Sequence, residues 1–278
     1  MKNRFVAVGL LIPALCLSIL TACAQLGMGG GRTSGSPTLN RIISKGELRV
    51  GTAGNMPPLN MTTRDGKVIG LEPDLANYLA YTMGVKLKLE TMPFAELQGA
   101  LESGKIDMIL SSMTITPKRN LRMAFAGPYF VSGKCVLTKT ESLASMESAA
   151  DINAANLRIT ALEASTSQEF IERYIPAAKL STSKDYEEAV NKVLSGEVDA
   201  MLADYPICLV TLARNPNSGL VSVITRLTYE PIGIALPADD PLLVNFVENL
   251  LQGLALSGRL AALQQRWFEQ PDWLLQLP

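Results

Sequence analysis

The chain has 278 residues, 25 Lys and Arg against 26 Asp and Glu, and no histidine. Without an imidazole there is no Ser-His-Asp or Cys-His catalytic pair, no histidine zinc site and no histidine pH switch. The even charge balance, with no basic run, leaves no footprint for a phosphate backbone and so excludes nucleic acid as a partner.

Residues 1–22 read as an export signal. Lys2 and Arg4 form a basic start, and the apolar run from Phe5 to Leu20 is interrupted by Pro13 and Ser18. That run is shorter than the roughly 20 residues a spanning helix needs. It ends in Leu20-Thr21-Ala22-Cys23, which resembles the bacterial lipobox, so Cys23 is expected to carry lipid and to begin the mature chain. Removing Lys2 and Arg4 with the signal leaves 23 basic against 26 acidic groups, a formal charge of −3. Residues 23–39 are rich in Gly and Ser and read as a flexible tether that stands the globular part off a membrane. Ala24, where an inner-membrane sorting signal would place Asp, favours the outer membrane if the cell has two.

From Asn40 short apolar strands alternate with amphipathic helices, the pattern of an α/β fold. A strand through Leu48 to Thr52 runs into a loop, Asn55-Met56-Pro57-Pro58. Asp74 is placed to cap a helix carrying Leu75, Leu79 and Met83 and ending at Gly84. A strand from Val85 to Glu90, a helix marked by Phe94, Leu97 and Leu101, and a strand from Ile106 to Leu110 follow. Thr116-Pro117 then signals a helix start, which puts Arg119 on an opening turn behind the hydroxyl-rich loop from Ser111 to Thr114. A guanidinium there offers a bidentate fork to a carboxylate; a plain solvated face of Lys118, Arg119 and Arg122 is the alternative. Further on, Thr166 with Glu169 fits a capping box, and such a helix start presents free N–H groups to an anion. Asp204 follows the apolar run 200–203, where it either neutralises a ligand ammonium or caps the next turn. Cys135 and Cys208 remain for an oxidising compartment, either as a disulfide or as two buried thiols.

The chain also repeats itself. Residues 94–112 recur 92 positions later as residues 186–204, matching Glu96 with Glu188, Ser103-Gly104 with Ser195-Gly196, Asp107 with Asp199 and Leu110 with Leu202. Leu48-Arg49-Val50 is echoed by Leu157-Arg158-Ile159. Two similar α/β units with polar groups at equivalent strand ends, Ser111-Ser112 and Asp204, predict a ligand cleft between two lobes.

Several stretches resemble, in order, the family 3 extracellular solute-binding proteins, the polar amino-acid receptors of ABC importers. They are Gly46-Glu47-Leu48-Arg49-Val50-Gly51-Thr52, Gly70-Leu71-Glu72-Pro73-Asp74-Leu75-Ala76, Ser111-Ser112-Met113-Thr114-Ile115-Thr116-Pro117-Lys118-Arg119, Phe125-Ala126-Gly127-Pro128-Tyr129, and Gly258-Arg259-Leu260 through Arg266-Trp267-Phe268. The likeness covers residues 42–268. It implies a type II periplasmic-binding-protein-like fold: two similar α/β lobes, residues 40–132 with 233–278 and residues 133–232, joined by two hinge strands. By the same resemblance Arg119 holds a ligand α-carboxylate, helped by backbone N–H groups at Thr114 and Thr166, while Asp204 and Ser112 hold the α-ammonium. Asn55, Met56, Leu59 and Glu72 are the expected side-chain pocket. Ala53 stands where receptors for basic amino acids carry an acid, and Met56 where many carry a ring.

The resemblance thus implies a receptor, not an enzyme, with no catalytic residue, metal or cofactor. Its expected partners are a small α-amino acid, an ABC permease and, through Cys23, a membrane. It is expected to act as a monomer in the periplasm or at the cell surface. A sensor or accessory lipoprotein is an alternative on this fold, as is a cyclohexadienyl dehydratase-like enzyme. Such an enzyme uses an added acid in the cleft, where the third residue beyond Asp204 here is Ile207.

Overall fold

The computed structural model describes residues 35–144, 153, 156–222 and 228–278. The expected signal segment, Cys23 and the tether up to residue 34 lie outside the described residues.

Helix α1 (Pro37–Lys45) begins inside the expected tether, so residues 37–39 are helical. Pro37 sits in the first turn, where its missing N–H costs nothing, and Gly46 closes the helix in the left-handed conformation. The Leu39 amide donates to Asp240 Oδ2 at 2.8 Å, a tertiary anchor that sequence composition does not reveal. Next come β1 (Glu47–Thr52), β2 (Asn55–Met56), β3 (Asn60–Thr62) and β4 (Val68–Ile69). The last three form a small sheet where the sequence predicts a loop, because pairs this short leave no alternation to read.

Helix α2 (Leu71–Met83) starts at Gly70, not at Asp74. Gly70 has φ 135°, and a Cβ there would lie 2.3 Å from the Leu59 carbonyl oxygen, so only glycine fits. Asp74 instead lies within the first turn, where the helix dipole favours a carboxylate, and Trp267 Nε1 donates to it at 2.8 Å. Then β5 (Lys86–Thr91), α3 (Phe94–Glu102), β6 (Met108–Ile109), the four-residue α4 (Pro117–Asn120) and β7 (Met123–Ser132) follow.

The chain crosses into a second unit made of β8 (Lys134–Thr138), α5 (Glu141–Ala144), β9 (Arg158–Leu162), α6 (Thr166–Tyr174), β10 (Lys179–Ser183), α7 (Tyr186–Ser195), β11 (Ala200–Asp204), α8 (Tyr205–Arg214) and β12 (Val221–Ser222). It returns through β13 (Glu230–Pro237) to α9 (Pro241–Leu256), α10 (Arg259–Glu269) and a closing 3₁₀ turn, Pro271–Gln276.

The two five-stranded sheets have one plan. The first runs β5-β1-β6-β13-β7 and the second β10-β9-β11-β8-β12. In each, three parallel strands meet an antiparallel pair. This is the two-lobed type II architecture, with β7 and β13 as the hinge strands, paired antiparallel from Glu230 opposite Ser132 onward. The first lobe's core packs Leu48, Val50, Leu75 and Leu79 with Leu243, Val247, Trp267 and Trp273 from the returning chain. The second packs Val136 and Ile159 against Ile171 and Leu202. Each fully buried aliphatic side chain contributes about 1.5–3 kcal/mol. Cys135 and Cys208, open from sequence, form a disulfide that ties β8 to α8.

Candidate ligand-binding site

Arg119 owes its position to a short helix start. Thr116 Oγ1 accepts from the Arg119 amide at 3.2 Å, and Pro117 fixes the first turn. The guanidinium then reaches across the lobes, donating from Nη1 to the Thr114 carbonyl at 3.0 Å and from Nη2 to the Ala164 carbonyl at 3.2 Å. It lies 5.8 Å from the Phe94 ring centroid. Burial pulls its pKa below the usual arginine value, against the field of the Glu169, Asp204 and Glu230 carboxylates. Among the described residues it forms no ion pair. A planar cation held by carbonyls alone is suited to an incoming carboxylate.

Asp204 occupies the N-cap position of α8, yet its side chain makes no capping bond. Its Oδ1 accepts instead from Lys134 Nζ at 2.7 Å, because the antiparallel register of β8 and β11 sets the two residues opposite each other. The Lys134 side chain is 1% exposed. The same ammonium donates to Thr166 Oγ1 at 2.7 Å and stands 3.7 Å from Glu230 Oε2. Thr166 Oγ1 in turn donates to Glu230 Oε2 at 3.2 Å and lies 3.4 Å from Thr114 Oγ1 of the other lobe.

The expected capping box shifts by one residue. Ser165, with extended backbone, is the N-cap of α6 and accepts from the Gln168 amide, which leaves Thr166 as the first helical residue. Glu169 reaches outward to Lys118 Nζ at 2.6 Å, an ion pair between the lobes.

Of the residues nominated from sequence, Met56, Ser112, Thr114, Arg119, Thr166 and Asp204 line one small interlobe cavity. Three do not. Asn55 faces a separate, more open groove, its Oδ1 buried without a partner among the described residues. Leu59 belongs to the first lobe's core.

Glu72 lies on the buried face of α2, behind the cavity and not in its wall. Its carboxylate accepts from the Ser112 amide at 2.6 Å, from Asn60 Nδ2 at 2.5 Å and from the Tyr129 hydroxyl. Burial raises its pKa against those three donors, and burial likewise pushes the Tyr129 hydroxyl well up. Ser112 has a left-handed backbone, φ 51°. Glu72 therefore supports the site by holding that strained residue's amide.

Phe94, Leu162, Ser165 and Tyr186 complete the wall, and local sequence pattern does not mark them as site residues. The internal repeat carries a signal for two of them: Phe94 and Tyr186 are equivalent first residues of α3 and α7, just as Ser112 and Asp204 are equivalent. Burial first, then the nearby Asp204 carboxylate, pushes the Tyr186 hydroxyl well up. Lys134 and Glu230 are likewise unmarked. Their only trace in the sequence is a charge at the edge of an apolar strand. Among the described residues no three His, Cys, Asp or Glu side chains could hold a metal ion.

The model for bacterial extracellular solute-binding proteins, family 3, matches residues 48–270, most of the chain and nearly all of the fold described above. The chain belongs to that family. The solved structure of a putative binding component of an ABC transporter from Wolinella succinogenes, complexed with lysine, is 35% identical to this solute-binding protein, with a TM-score of 0.78. That match covers 83% of this chain and 99% of the other. The L-cystine-binding protein TcyJ of Escherichia coli K12 is 24% identical over 252 residues, 91% of this chain and 94% of the relative. The cyclohexadienyl dehydratase of Pseudomonas aeruginosa is 24% identical over 259 residues, 93% of this chain and 94% of the enzyme. No helix among the described residues of the solute-binding protein is long and apolar enough to cross a membrane.

Proposed function

We propose that this solute-binding protein is a lipid-anchored extracytoplasmic receptor that takes one small α-amino acid between its lobes and delivers it to an ABC importer. One observation carries the reading: an arginine that forms no ion pair among the described residues and an aspartate from the opposite lobe share a single small cavity. The guanidinium fork suits the ligand's α-carboxylate, and the carboxylate of Asp204, with the Ser112 and Thr114 hydroxyls nearby, suits its α-ammonium. A ligand that touches both lobes stabilises the closed arrangement by its differential contacts. The amino-acid-binding relatives and the Cys23 motif support the role and the anchor. We assign residues 40–132 with 233–278 to the first lobe and 133–232 to the second.

Titration calorimetry of the purified full-length protein, stripped of carried-over ligand by unfolding and refolding, tests the reading against the twenty amino acids. Arg119→Ala should weaken the best ligand by about 2–5 kcal/mol while leaving the melting temperature of the free protein near wild type. Unchanged affinity would remove Arg119 from the site. Labelled fatty acid should enter the wild-type chain and not Cys23→Ser; equal labelling argues against the anchor.

The dehydratase relative raises an enzymatic reading, which the cavity does not favour. The two acids near it face Lys134, and Ile207, the third residue beyond Asp204, is a buried aliphatic side chain with no proton to give. Turnover of prephenate by the pure protein would reverse this judgement.

A further inference from the structure

We propose that the site selects an α-amino acid with an uncharged side chain, and that Lys134 is the residue that closes it to cationic ligands. The inference rests on the amino-acid reading above and narrows it.

Two charged groups line the cavity, Arg119 and Asp204, and two more, Lys134 and Glu230, meet next to Asp204. They balance. A net-neutral zwitterion keeps that balance, whereas a ligand bearing one further charge leaves that charge unpartnered among buried side chains, which is costly. The nearby Lys118 and Glu169 cancel each other at the exposed rim and do not alter the count.

Lys134 is what makes the count come out even. Its ammonium holds Asp204 Oδ1 at 2.7 Å, stands 3.7 Å from Glu230 Oε2 and is pinned by Thr166. Without it the cavity's Asp204 and the adjacent Glu230, 11% and 10% exposed, would have only Arg119 to offset them. The site would then attract a second cation. Lys134 is also placed to act on closure, since it is the second residue after Ser132 ends one hinge strand, and Glu230 begins the other.

The remaining wall agrees with this selection. Met56, Phe94 and Leu162 are apolar and Tyr186 is neutral, so a charged ligand side chain finds no counter-ion there. Asp204 is the one acid among the described lining residues, and half of its carboxylate is committed to Lys134.

The experiment is competition calorimetry on the stripped full-length protein with L-alanine, L-serine, L-methionine, L-lysine, L-arginine and L-glutamate. The best neutral amino acid should bind at least 100-fold tighter than lysine or arginine. In Lys134→Gln, checked for folding by circular dichroism, that ratio should fall at least tenfold. Glu230→Gln should move it the other way and improve glutamate relative to lysine, which keeps the idea testable if Lys134→Gln does not fold. Lysine or arginine binding the wild type within tenfold of the best neutral ligand overturns the proposal while leaving the amino-acid reading intact. A folded Lys134→Gln with unchanged selectivity also overturns it. Failure of every amino acid to bind at millimolar concentration overturns both readings together.

Discussion

In the first lobe the Arg49 amide donates to Asp107 Oδ2 at 2.7 Å while its Nη2 donates to Oδ1 at 2.7 Å; in the second, Arg158 grips Asp199 through the same atoms at 2.8 and 2.5 Å. Each latch joins the central of three parallel strands, β1 or β9, to the residue just before its neighbour, β6 or β11. Their surroundings differ. Asp107 is 1% exposed and is also held by Arg41, whereas Asp199 is 30% exposed and has one arginine. The lobes are fastened differently elsewhere too. The first gains α9, α10 and two buried tryptophans from the returning chain, and the second gains the Cys135–Cys208 disulfide. One backbone plan has thus been stabilised by apolar burial on one side and by a covalent tie on the other, and the same ion pair carries different weight in each.

The disulfide offers the largest test of that difference. It closes a loop with a sequence separation of 73, for which chain entropy assigns about 4 kcal/mol. Cys135→Ala with Cys208→Ala should lower the urea midpoint accordingly, with hydrogen exchange rising first in β8 and α8 and least in β1 and α2. An unchanged midpoint, or loss of protection beginning in the first lobe, would break the comparison. Asp107→Asn comes next. It strips the buried acid from two partly exposed arginines and should cost about 2 kcal/mol of stability, after discount for their solvent screening. A cost no greater than that of Asp199→Asn would show that burial does not separate the latches.

The residues of both latches recur in the amino-acid order, since the repeat matches Asp107 with Asp199 and the strand echo matches Arg49 with Arg158, but that each arginine meets its aspartate is seen only in the fold. Much of the alternation of strands and helices is legible in that order, because apolar spacing and turn glycines such as Gly84 act locally. The knot of Lys134, Asp204 and Glu230 is not. It depends on the register of β8 against β11 and on the approach to the second hinge strand, where Thr228, 94 residues beyond Lys134, accepts from its amide. Local spacing cannot encode such a meeting. Glu72 misleads for the opposite reason: its motif marks a place in the chain near the cavity, while the helix face that carries it turns into the core.

Two acids give the comparison a smaller but sharper form, because their pKa values move in opposite directions. The hydrogen bond from Arg158 holds the Asp199 carboxyl below its usual value of 3.8, against a lesser desolvation effect. Asp199 therefore adds stability above that value and loses it as pH falls through the folded pKa. Burial raises Glu72 above 4.5, so in the folded state it keeps its proton to higher pH than in the unfolded chain. Its contribution is a penalty that grows as pH rises through that window and vanishes below 4.5. Urea titrations from pH 3 to 7 should show Asp199→Asn losing a small acid-side rise in stability, and Glu72→Gln losing a decline. Because Asp199 is partly exposed, the first difference should shrink in high salt, whereas the second, set by burial, should persist. Equal salt sensitivity in the two variants would mean that solvent screens both acids alike, and the contrast in burial between the first lobe and the second would then have no energetic counterpart.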